Sequence, residues 1–152
     1  MEKDGMRVNL LKTAAGLQEI DQLVERQSFN KMIYEGQKAT YAYTRYMPKR
    51  YDEILRSDGS IYWILKGRIQ VRQKILGFEM TKDEGDAHEW CKIVVDPQLW
   101  LTVAKPKKAI QGWRYLEDKD APKDRLKYMA GGLSHEEPPE EMAEELKRLG
   151  LI

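Results

Sequence analysis

The sequence predicts an α+β domain: a small curled mixed sheet or partial β-barrel flanked by N- and C-terminal helices. Three observations carry this reading. Apolar residues recur at helical spacing near the amino terminus, short alternating runs crowd the middle, and a second helical pattern closes the chain. Helices do not alternate with the strands, which argues against a doubly wound α/β fold. The 152 residues have the size of one domain, 1–152, with 132–152 as a peripheral C-terminal helix.

Residues 7–13 read as a first strand. Leu17, Ile20, Leu23, Val24 and Gln27 then fall on one helical face, predicting an amphipathic helix over 16–28. From Lys38 the rhythm changes to alternation. Tyr41 and Tyr43 oppose Ala42 and Thr44, which predicts a strand ending at Pro48. Ser57, Asp58 and Gly59 signal a turn before the Ile61 to Lys66 run, and Gly67 permits a bend. In the next strand Ile69, Val71 and Ile75 are expected on one face, with Arg68, Gln70, Arg72 and Lys74 on the other.

Thr81 to Ala87 is a polar hairpin loop, and Trp90 to Val95 a further strand. Asp96-Pro97 breaks it, after which Leu99, Leu101 and Val103 alternate again. Lys105 to Lys108 is a basic connection to a short Ile110 to Leu116 segment. Asp118 or Asp120 followed by Ala121-Pro122 resembles a helix start, with a helix of a turn or two expected after it. Gly131-Gly132 marks a break. Pro138-Pro139 opens the last helix, which carries Met142, Leu146 and Leu149 on one face and stops at Gly150.

A net charge of +1 conceals a strong patterning. Residues 38–74 carry 9 basic and 3 acidic groups and residues 105–131 carry 8 and 4, while the segments between and after them are acidic. If the two basic blocks meet in space, they form a cationic face on a neutral protein. If they stay apart, they keep separate loops solvated.

The basic blocks are also aromatic. Gly59 to Leu76 holds Tyr62 and Trp63 among Arg68 and Arg72. Upstream stands Met47-Pro-Lys-Arg-Tyr-Asp-Glu53, and downstream Gln111-Gly-Trp-Arg-Tyr-Leu116. Cations interleaved with flat rings suit a polyanion whose bases can stack. Arg45, Lys49, Arg50, Arg68, Arg72 and Arg114 are candidate phosphate contacts, because cations hold phosphate and arginine does so in a bidentate way. Tyr62, Trp63 and Trp113 are candidate base contacts, with a core role as the alternative for any single ring.

Other chemistries find little footing. The single Cys91 cannot form an internal disulfide. His88 and Cys91, with His135 as the second histidine, fall short of a zinc ligand set, so no metal is expected. No phosphate-binding loop, dinucleotide fingerprint or nucleophile elbow is present, so no cofactor is expected. No apolar run approaches the roughly 20 residues of a membrane span, and the charged start lacks a signal-peptide pattern, which predicts a cytoplasmic protein.

These motifs, with Val95-Asp-Pro97, resemble an uncharacterised bacterial family known as domain of unknown function 1489. The likeness covers most of the chain and implies no established activity. More distantly, the order of elements is similar to the PUA-like superfamily, which includes the ASCH, EVE and YTH modules. That similarity implies a curled barrel around a cleft that reads a nucleotide or modified base. The ASCH pattern Gly-x-Lys-x-x-Glu-x-Arg has no match, since Gly67 to Arg72 lacks both the lysine and the glutamate.

The expected function is a non-catalytic module binding RNA, DNA or a modified nucleotide. One alternative is a small hydrolase acting on nucleotides or RNA, using Thr44, Lys49, Asp52 and Glu53. Another is a protein-interaction adaptor that docks through the Met142, Leu146 and Leu149 stripe.

Overall fold

A computed structural model describes residues 7–129. In chain order its elements are β1 (Val8–Thr13), α1 (Ile20–Ser28), β2 (Met32–Tyr34), β3 (Gln37–Thr44), α2 (Tyr51–Arg56), β4 (Ser60–Leu65), β5 (Arg68–Thr81), β6 (Trp90–Val95), β7 (Trp100–Pro106), β8 (Trp113–Glu117) and β9 (Asp124–Lys127). A single 3-10 turn occupies Asp118–Asp120. The strands form one mixed sheet in the order β2-β3-β6-β5-β4-β1-β8, from which β7 and β9 branch at β5. Strands β1 and β4 pair in parallel, and the remaining pairs are antiparallel. The chain is an α+β domain on a small curled mixed sheet, as its patterning predicts.

Strand β5 organises this sheet. Its first half lies between β4 and β7, and its second half pairs with β6. Two extra residues bend it. Trp63 opposes Val71 while Ile64 opposes Ile69, which leaves Gln70 as a bulge, and Ile75 and Gly77 oppose Val95 and Val94, which leaves Leu76 as another. Each bulge bends and twists its strand, so the sheet curls, and each reverses the alternation of side chains.

That reversal corrects one expectation. Ile69 packs with Leu11, Tyr62 and Ile64 on one face, whereas Val71 and Ile75 join Leu10, Trp63 and Ile93 on the other. Ile69, Val71 and Ile75 therefore do not share a face, and alternation from Ile69 sends Arg68 to the side away from Arg72. The larger cluster is the main core, closed by Leu23 from α1 and Ile54 from α2. Burying each such side chain stabilises the fold by about 1.5–3 kcal/mol. At its centre two amides pair reciprocally: Gln27 Nε2 donates to Gln73 Oε1 at 2.8 Å, and Gln73 Nε2 donates to Gln27 Oε1 at 2.9 Å. The indole N–H of Trp63 donates to Gln73 Oε1 as well, at 2.9 Å.

Other differences are local. Helix α1 starts at Ile20 rather than 16, because Gly16 takes a positive φ of 79° and Glu19 is the N-cap, with Gln22 closing a capping box. The strand expected to reach Pro48 stops at Thr44. Although both segments are basic and aromatic, residues 41–50 do not pair with 61–74. The β4 edges are taken by β1 and β5, so β3 pairs instead with β2 and β6. Helix α2 and strands β2 and β9 were not anticipated, and β9 stands where a helix of a turn or two was expected after Pro122, because it pairs with β7. The expected C-terminal helix lies outside the described residues.

Candidate nucleic-acid interface

Strand β8 is positioned by β1, with Leu10 opposite Tyr115, Leu11 opposite Arg114 and Lys12 opposite Trp113. Two residues apart on a strand, Trp113 and Tyr115 face the same way. Their ring centroids are 4.9 Å apart in an edge-on arrangement, and both pack against the main core. They also hold the loop that follows β3. Trp113 Nε1 donates to the Tyr46 carbonyl at 3.0 Å, and the Arg50 backbone N–H donates to the Tyr115 hydroxyl at 3.1 Å.

This junction brings the two aromatic-basic motifs together. The Arg50 guanidinium lies 5.1 Å from the Tyr115 ring centre, and that of Arg45 lies 4.7 Å from Tyr46, whose ring is on a residue 66% exposed. Lys49, between them in sequence, is exposed and has no hydrogen-bond or ion-pair partner among the described residues. Arg45 also donates to the Glu89 carbonyl at 3.3 Å. Arg50 is held in a fork by Glu53, through Nε and Nη2 at 2.8 Å each. Two cation–aromatic pairs and a free ammonium thus share one surface.

Lys12 was not anticipated. It shares the Leu10 face of β1, half-buried beside Trp113, and its ammonium has no side-chain partner among the described residues. Desolvation holds its pKa below the ordinary 10.5. An anion brought to this surface would offset that desolvation. The sequence carries no signal for it, because Lys12 reads as the polar end of an apolar strand until the register places it.

The other expected contacts lie elsewhere. Tyr62 is 2% exposed and Trp63 is 3% exposed, on opposite faces of β4. No base can stack on either without prising the sheet apart, so the binding role expected of them is corrected to a core role. Arg68 stands exposed at the β4–β5 hairpin, paired across to Pro106. Arg72 grips Asp124 through Nε at 2.7 Å and Nη2 at 2.6 Å, donates to Ser60 Oγ at 2.9 Å, and lies 5.7 Å from the Trp100 ring centre. Arg114 opposes Leu11, on the face away from Trp113 and Tyr115. Arg45, Arg68, Arg72 and Arg114 therefore do not border one site, and the surface that forms combines Arg45, Arg50 and Trp113 with Tyr46, Tyr115 and Lys12.

The residues considered for proton transfer have other partners. Thr44 is buried on β3, Asp52 pairs with Arg56 at 3.1 Å, and Glu53 pairs with Arg50. Cys91 is buried on β6, and burial pushes its thiol up to about 11. The His88 ring packs against Trp90. Among the described residues no three His, Cys, Asp or Glu side chains are grouped to hold a metal. No helix among them is long and apolar enough to cross a membrane.

Fold and surface together define a class: a curled α+β domain whose loop 45–50 and strand β8 present a basic, aromatic surface. The chain belongs to the family described as "Protein of unknown function (DUF1489)", whose model matches residues 10–152. No curated protein and no solved structure matches it.

Proposed function

We propose that this protein is a cytoplasmic nucleic-acid or modified-nucleotide binding module, acting through the surface formed by residues 45–50 and β8. The observation that carries the proposal is the meeting of the Met47 to Glu53 and Gln111 to Leu116 motifs, which stacks Arg45 on Tyr46 and Arg50 on Tyr115 beside Lys49. The exposed Tyr46 and the half-buried Tyr115, each held next to a cation, offer stacking platforms with phosphate contacts beside them. The two basic blocks also touch at a second place, where Lys107 N–H donates to the Gly67 carbonyl at 2.8 Å. The PUA-like order of elements supports the same reading by resemblance.

An exposed tyrosine favours splayed bases, so single strands are the expected ligand over duplex. The test is a salt series with short single-stranded and duplex RNA and DNA. Affinity should fall steeply with salt, and Lys49→Ala and Arg45→Ala should each lower the log–log slope by about 1. Tyr46→Ala should weaken single-strand binding by about 1–3 kcal/mol at any salt. Absence of binding at low salt would overturn the proposal.

A further inference from the structure

A second site lies on the other side of the sheet, where the Asp96-Pro97 break separates β6 from β7. Backbone pairing along β5 stops at Ile75 opposite Val95 and resumes at Arg72 opposite Trp100. The gap is braced by the Asp96 backbone N–H, which donates to the Lys74 carbonyl at 2.9 Å, and by the Gln98 N–H, which donates to Asp96 Oδ1 at 2.9 Å. It opens into a cavity of about 290 Å³ lined by Arg7, Asp58, Arg72, Lys74, Asp96, Gln98 and Trp100. Three cations, two carboxylates, an amide and an indole converge there.

Their commitments differ. Arg72 is held in place by Asp124 and Ser60, and with Trp100 it forms a wall. Lys74 reaches only Asp58, at 3.7 Å, and both are about half exposed or more, so this pair adds little. Arg7 meets Asp118 through Nε at 3.5 Å, which leaves its two terminal nitrogens without partners among the described residues. The Trp100 indole N–H and Gln98 Oε1 are likewise unpaired among them. The cavity therefore holds free cationic donors at its rim and an aromatic wall inside.

We propose that this cavity binds a nucleoside monophosphate whose base carries an exocyclic amino group. Arg7 and Lys74 receive the phosphate, in the charge-assisted manner that cations use for phosphate oxygens. The base lies against Trp100, and its amino group donates to the Asp96 carboxylate or to Gln98 Oε1. Two carboxylates in the lining disfavour a purely anionic ligand such as inorganic phosphate, and they suit one that also brings hydrogen-bond donors. The volume lies near the lower end of small-molecule sites, which suits a mononucleotide with part of its sugar in solvent. This site is independent of the surface proposed for nucleic acid, since Arg72 and Lys74 share the Tyr62 face of the sheet and Trp113 shares the Trp63 face.

The test is calorimetric titration of the full chain with adenosine monophosphate, cytidine monophosphate, uridine monophosphate and inorganic phosphate. The amino-bearing nucleotides should bind at least about tenfold tighter than uridine monophosphate or phosphate. Lys74→Ala, an exposed position where folding is not at stake, should weaken them at least about tenfold. Trp100→Phe keeps a ring in the wall and should retain binding, whereas Trp100→Leu should lose it, with circular dichroism verifying the fold of each. Equal affinity for all four ligands, no binding at all, or unchanged binding in Lys74→Ala would each overturn the assignment.

Discussion

Single atoms decide several positions in this protein, and glycines show it most clearly. A Cβ on Gly59 would collide with the backbone carbonyl of Val8 and press on Ile54, neither of which can retreat from the core. A Cβ on Gly77 would collide with the Tyr34 hydroxyl, but that ring belongs to an edge strand and can swing outward. We therefore expect Gly59→Ala to destabilise by about 3 kcal/mol and Gly77→Ala by about 1 kcal/mol in chemical denaturation. Equal losses would refute this distinction between fixed and movable neighbours. Cys91 provides a pH signature. Its thiol is raised from 9.0 to about 11 by burial, so the folded state binds more protons than the unfolded state between those values. The resulting stabilisation is complete below pH 9 and is lost as pH rises to 11. Lysines and tyrosines titrate in the same window, so the measurement is a difference. Cys91→Ala should show a shallower loss of stability than the parent between pH 9 and 11, and parallel curves would disprove the assignment.

Among the elements, β5 carries the most information, because one inserted residue redirects everything before it. Plain alternation through Gln70 would put Ile69 on the Val71 face; the bulge instead keeps Ile69 opposite Ile64 in the cluster with Tyr62, and Arg68 on the side away from Arg72. The bulge is held by the Gln70 side chain, whose Nε2 donates to the Leu65 carbonyl at 2.7 Å, beside a hairpin turn whose Lys66 and Gly67 have φ of 53° and 74°. Those angles fit the two-residue turn that matches strand twist. Deleting Gln70 removes that hydrogen bond while Ile69 stays opposite Ile64, so it should cost only about 1 kcal/mol in chemical denaturation. A loss of about 3 kcal/mol or more would show that the bulge itself, and not only the burial of Ile69, holds this part of the sheet. Helix α2 illustrates the opposite situation. Its Asp52 and Glu53 in the first turn and Arg56 in the last suit the helix dipole, and its Ile54 fills the core, yet six residues are too few to show a helical period.

For the molecule as a whole, the two basic blocks stay far apart in sequence and meet through pairing that no local pattern announces. Loop 45–50 reaches β8 only because β8 pairs with β1, and β1 lies parallel to β4 across a connection that contains α1, β2, β3 and α2. The sequence by itself determined the fold class, the positions of most strands, the Ser57–Gly59 turn, the break at Asp96-Pro97 and the presence of two aromatic-basic motifs. These follow from periodicity and turn chemistry, which act over a few residues. Only the tertiary structure decided which rings are core and which are surface. Tyr62 and Trp63 are neighbours in an apolar run, and both are buried because β4 is covered on both faces, a fact set by the chain segments that fold over it. Tertiary structure likewise tied Arg72 to Asp124, sent Arg68 and Arg114 to other surfaces, and set Lys12 beside Trp113. The physical reason is common to all of them. A side chain's face depends on register and bulges, and its partners depend on loop closure over long separations, neither of which leaves a mark on the residues nearby.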